Sequence, residues 1–143
     1  MNQAARRPAC RQGRHQVSGK VIHGDHFGRK LGFPTANLDR REYVRRGLKA
    51  KFGVYAGAVQ VQNSKLKVQS YRAGIVIGPL DKRGLPKIEA HLIGFRGNLY
   101  GRKLIIVLQK YLRPFKKYKN IEDLKKDIQK DIIAIKKLKI QKL

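Results

Sequence analysis

Between Gln16 and Leu112 the chain breaks into short apolar segments, each stopped by glycine or proline, and this limits the fold more than any other feature. Val17, Gly19, Val21 and His23 alternate with Ser18, Lys20 and Ile22, and the run ends at Gly24-Asp25. Alternation with period two marks a strand. Gly53 to Gln62 is rich in Val and Tyr, and Val68 to Ile77 ends at Gly78-Pro79. Lys87 to Phe95 follows a turn carrying Gly84 and Pro86, and Lys103 to Leu112 stops at Arg113-Pro114. Several short strands with turn signals between them predict an antiparallel barrel or sandwich. Residues 39–51 are charged and poorly periodic, and they read as a surface loop.

The last segment is different. Ile121, Leu124, Ile128, Ile132, Ile135 and Leu138 recur at spacings of three and four, so one face of a helix is apolar. Asn120 stands where an N-cap belongs, with Asp123 three residues on. Glu122, Asp123 and Asp127 come early and lysines cluster late, as a helix dipole prefers. The apolar stripe is expected to pack against the sheet.

With 143 residues there is room for one domain. Residues 1–15 are Arg-rich and aperiodic and read as a basic tail or linker remnant; 16–143 form the domain. Hydrophobic residues make up 41%, which supports a real core despite a net charge of +25. No run approaches the roughly 20 apolar residues of a membrane helix. The basic start has no apolar segment after it, so it is not a secretory signal. Cys10 alone cannot form an internal disulfide. A cytoplasmic protein is expected. The excess of cations suits phosphorylated ligands, small or polymeric, because phosphate releases counterions when a cationic surface binds it.

The chemistry concentrates between Gly24 and Asn37. Gly24, Gly28 and Gly32 let backbone N–H groups come close to a ligand such as phosphate, and Arg29 and Lys30 add cationic donors. A plain glycine-rich loop has the same composition, and neither the P-loop nor the dinucleotide pattern is present. Thr35 and Asn37 stand two apart, so in an extended segment they point to one side. Their neutral oxygens suit Mg²⁺, and equally suit hydrogen bonds within a turn. Glu89 shares a strand face with His91, Ile93 and Phe95, opposite Ile88, Ala90 and Leu92. A carboxylate there can act as a general base or can pair across the sheet. The four His and single Cys show no zinc-like spacing.

Val21-Ile22-His23-Gly24-Asp25, then Gly28-Arg29-Lys30-Leu31-Gly32-Phe33-Pro34-Thr35-Ala36-Asn37-Leu38, closely resembles the opening signature of the riboflavin kinase (flavokinase) domain. Gly53-Val54-Tyr55-Ala56-Gly57, Ile75-Val76-Ile77-Gly78 and Ile88-Glu89-Ala90-His91-Leu92 resemble that family's following motifs, in order. So do Leu99-Tyr100-Gly101 and Tyr111-Leu112-Arg113-Pro114. The likeness runs from about Gln16 to Leu138.

The resemblance implies a mainly β fold, a six-stranded antiparallel Greek-key barrel with a C-terminal α-helix. It implies phosphoryl transfer from ATP to the 5′-hydroxyl of riboflavin, giving FMN. Carried over by position, Thr35 and Asn37 would coordinate Mg²⁺ and contact the ATP phosphates. Gly24 and Arg29 would lie in the nucleotide loop, with Tyr100 near the nucleotide. Glu89 would be the catalytic base, and Arg113 and Tyr118 would lie in the flap over the flavin. The chain would act as a monomer, or as part of a longer protein with an adenylyltransferase domain. No such domain fits before Gln16, so FAD synthesis is not expected of these residues.

The chain departs from the family's pattern at two places. Pro79-Leu80-Asp81-Lys82-Arg83-Gly84 replaces a longer G-x-x-P-T-F type loop. Phe115, Lys116, Lys117 and Tyr118 stand where an acid and a Phe are common. The rival reading is a non-catalytic basic small barrel that binds RNA or flavin. An RNA binder of that kind stacks bases on exposed aromatics, and no strand here is aromatic-rich.

Overall fold

The computed structural model describes residues 16–23, 35–62 and 67–139. Six strands and two helices follow one another as β1 (Gln16–Ile22), β2 (Ala36–Leu38), α1 (Arg41–Arg45), β3 (Gly53–Gln62), β4 (Val68–Leu80), β5 (Pro86–Leu92), β6 (Lys103–Arg113) and α2 (Ile121–Lys137). The strands close into a barrel in the order β1-β2-β5-β4-β3-β6, and every neighbouring pair is antiparallel. β3, β4 and β5 form a meander, and β6 returns to lie beside β3, which is the Greek-key arrangement. The expected barrel with its C-terminal helix is therefore what the chain adopts.

Alternation fills the interior. Val17 and Val21 of β1, Ile75 and Ile77 of β4, Ile88 of β5 and Leu104 and Ile106 of β6 all point inward and are buried. Val59 and Val61 of β3 join them. Gly57 sits where β3 and β6 shift register. A Cβ there would stand 2.0 Å from the carbonyl oxygen of Val107, so only glycine fits.

Three local expectations change. β5 ends at Leu92 and not at Phe95, so Ile93 and Phe95 do not continue the outward row of Glu89 and His91, and Phe95 packs against the core. Residues 39–51 are not all loop, because Arg41–Arg45 form α1 against β1. One buried ring anchors this short helix. Tyr43 enters the core cluster, and its hydroxyl accepts a hydrogen bond from the Ala50 N–H at 2.8 Å. β4 continues past Ile77 to Leu80, through a cis Gly78-Pro79 bond at an irregular register with β5. Proline is tolerated there because the ladder is already broken.

α2 begins as expected, with the Asn120 side chain accepting from the Asp123 N–H at 2.9 Å. It packs chiefly on β4 and less on β3. Gly74 makes the close approach possible, since a Cβ there would lie 3.2 Å from Ile135 Cδ1. Ile135 is the one stripe residue fully buried; Leu124, Ile128 and Ile132 are half-buried and Ile121 is exposed. Burying one such side chain contributes roughly 1.5–3 kcal/mol. The rest of the stripe faces a cavity rather than the barrel wall. Among the described residues no helix is long and apolar enough to cross a membrane.

Candidate active site

A cavity of about 650 Å³ lies between the outer face of the barrel and α2. The barrel side is built from alternate, outward-facing positions. Val54 of β3, Val76 of β4 and Glu89 and His91 of β5 line it, with Thr35 just before β2. Leu124, Ile128, Asp131 and Ile132 of α2 form the facing wall, and residues 115–120 border it. Aliphatic side chains of the barrel and α2 face each other across it, and lysines, Glu89, His91, Arg113 and Asp131 add charge at its borders, a make-up that suits a small molecule with an apolar body and polar groups.

Register brings the polar residues together. Asn37 stands directly opposite Glu89 across the β2–β5 pair, and Val76 stands opposite Glu89 across β4–β5. Directly opposed residues share a face, so Asn37, Glu89 and Val76 form a row on the outside of the barrel. β2 is only three residues long, and Arg40 just beyond it helps to fix its place. The Arg40 guanidinium donates to Asp81 Oδ2 at 2.5 Å and to the Pro86 carbonyl at 3.1 Å. Asp81 Oδ1 also accepts from the Arg83 and Leu85 N–H groups, which tightens the β4–β5 hairpin. These bonds, the Arg40 side chain first, hold the Asp81 carboxyl down at about 2.

Arg113 and Tyr118 both line the cavity, and both are engaged by α2. Arg113 Nε and Nη2 donate to Asp131 Oδ1 and Oδ2 at 3.1 and 2.7 Å. Burial pulls the guanidinium down, but the Asp131 partnership outweighs it and the net shift is upward. The Tyr118 hydroxyl donates to Asp127 Oδ2 at 2.7 Å. Burial and then this bond push the phenol up to about 12. The same bond, with Lys116 at 3.6 Å, holds the Asp127 carboxyl below its usual range. The chain from Pro114 to Asn120 is thus tied to α2 at Asp127.

Tyr100 lies elsewhere. Its ring stacks on His23 with centroids 3.9 Å apart and planes at 22°. The Gly101 N–H donates to the Val21 carbonyl at 2.9 Å, which keeps Tyr100 at the end of β1. Gly24 and Arg29, the other residues expected in the nucleotide loop, lie outside the described residues.

A family model described as flavokinase, riboflavin kinase, matches residues 12–139. The chain belongs to the riboflavin kinase family. It is 36% identical over 121 residues to a bifunctional riboflavin kinase/FMN adenylyltransferase of Buchnera aphidicola subsp. Schizaphis graminum, covering 85% of this chain and 38% of that relative. The chain therefore spans under two-fifths of the length of that curated relative. Among solved structures it is similar to riboflavin kinase from Trypanosoma brucei, with a TM-score of 0.66 and 25% identity over 85% of this chain and 76% of that one. A structure titled macrolide-efflux protein from Streptococcus pneumoniae superposes with a TM-score of 0.69 and 26% identity, over 86% of this chain and 38% of that one.

Within this riboflavin kinase barrel, Thr35, Glu89, Arg113 and Tyr118 come together around one cavity, Asn37 flanks Glu89, and Tyr100 stands apart. Sequence reasoning missed Asp131 and Asp127. Their spacing of four puts both on one helix face beside the apolar stripe, a place where acids are out of pattern for a packed helix.

Proposed function

We propose that this chain transfers the γ-phosphoryl group of ATP to the 5′-hydroxyl of riboflavin, giving FMN and ADP. The observation that supports this most is Glu89: a carboxylate on an aliphatic-walled cavity, beside Asn37 and near Thr35. Val54 and Val76 of the barrel and Ile128 and Ile132 of α2 give the cavity apolar surface for a flat tricyclic ring. Glu89 takes the proton of the attacking hydroxyl as the new O–P bond forms and the bond to the β-phosphate oxygen breaks. Arg113 and Tyr118 close the flavin end. Gly24, Arg29 and Tyr100 serve the nucleotide. Residues 16–143 are the catalytic domain, and 1–15 a tail or linker.

Thr35 and Asn37 would hold Mg²⁺. A hydroxyl and an amide carbonyl beside a carboxylate are hard oxygen donors of the right kind. Among the described residues no three His, Cys, Asp or Glu gather into a metal cage. Mg²⁺ keeps waters and takes further ligands from phosphates. Bound there, Mg²⁺ supplies charge neutralisation for the transferring phosphoryl group. Everything else asked of the chain is positioning and one proton transfer.

The test is a chromatographic assay of purified protein with riboflavin, ATP and MgCl₂, following FMN and FAD separately. FMN formation supports the kinase. Riboflavin binding without FMN points to a flavin-binding module, and salt-sensitive RNA binding without a flavin response points to the RNA-binding barrel.

A further inference from the structure

α2 supplies one wall of the cavity but reaches the barrel mainly through β4. Three alternate residues on the outer face of β4 set its seat: Arg72, Gly74 and Val76. Gly74 leaves room for Ile135, and Val76 lines the cavity. Arg72 reaches past them to the end of the helix. Its Nη1 group donates to the carbonyl oxygens of Ile135, Lys136 and Leu138 at 2.9, 3.1 and 2.5 Å. Carbonyls at a helix C-terminus run out of helical partners and gather partial negative charge, so a cation there both caps and attracts. Another anchor between α2 and the strands, Arg113 with Asp131, lies one helical turn nearer the N-terminus.

We infer that Arg72 is a positioning residue for the flavin-binding wall: by clamping the C-terminus of α2 to β4, it sets the gap between Ile128 and Ile132 and the barrel face. The inference rests on the kinase reading. Arg72 does not line the cavity, so it acts through the helix, and the wall it seats is the flavin side of the site.

Arg72→Met keeps the aliphatic stem and removes the cap. The expected result is a riboflavin KM raised about tenfold, with kcat and the ATP KM within about twofold of wild type. Arg72→Lys, which still brings an ammonium to the carbonyls, should recover most of the loss. Hydrogen exchange at the last turn of α2 should speed up in the Met variant and not in the Lys variant. A merely structural role would lower the active fraction, and hence kcat, with riboflavin KM unchanged; that outcome overturns the inference. Faster exchange with unchanged KM overturns it too. If Arg72→Met does not fold, Arg72→Gln takes its place under the same outcomes. If the wild-type protein binds riboflavin but makes no FMN, the kinase reading fails. The inference then stands or falls on the riboflavin Kd of the same variants by fluorescence.

Discussion

Arg113 and Asp131 meet in a two-pronged ion pair at the edge of the cavity, with side chains only 23% and 15% exposed. The pair joins the end of β6 to the middle of α2 across 18 residues of sequence. Both partners line the cavity, so the pair shapes the site as well as the fold. Asp131→Asn removes the charge and leaves Arg113 poorly matched. Hydrogen bonds to charged groups contribute about 1.5–3 kcal/mol when buried, and residual exposure places this one nearer about 1 kcal/mol. Urea unfolding should show that loss, and riboflavin affinity should fall several-fold while ATP affinity holds. Unchanged riboflavin affinity would detach the pair from the site.

Arg40 and Asp81 give a pH signature. Asp81 is depressed to about 2 in the folded chain, while an unfolded aspartate titrates near 3.9. The unfolded chain therefore takes up the proton first. The stabilisation is present above about pH 4 and is lost as pH falls toward 2. The melting temperature of the wild type should drop across that window. Asp39, Glu42 and Asp127 are depressed too, so the slope will not vanish in a single variant. Asp81→Asn should show a shallower drop over the same window. Parallel curves would contradict the assignment.

Asn37 bears on the proposed Mg²⁺ site. Its amide stands beside Glu89, and its loss should leave the barrel intact because its neighbours Ala36 and Leu38 hold the core contacts of β2. Asn37→Ala should raise the MgCl₂ concentration for half-maximal rate by about tenfold or more, the scale seen when a metal site loses support. A metal titration identical to wild type would remove Asn37 from that role.

Much of the barrel was legible because its elements are long and periodic. Gly53 to Gln62 reads as a strand and is one, and the α2 stripe and Asn120 cap fall where spacing puts them. β2 and α1 are three and five residues long, too short for any period to show, and one buried ring anchors α1. The helix stripe was legible but its destination was not. Only Ile135 is buried, because Gly74 admits the helix at that point while the remaining side chains stand over the cavity. Thr35, Asn37 and Glu89 could be singled out from local motifs. Arg72 could not, because its partners lie 63 to 66 residues away and leave no local spacing to read.

In the proposed reaction Glu89 serves phosphoryl transfer to riboflavin as the general base. The most direct test compares FMN formation by the wild-type protein and Glu89→Gln, with riboflavin binding measured on both. The wild type should convert riboflavin to FMN with ATP and MgCl₂. The variant should bind riboflavin as the wild type does and turn over at least about a hundredfold more slowly, the scale of a lost general base. FMN production by Glu89→Gln at the wild-type rate, or none by the wild type, would contradict the account.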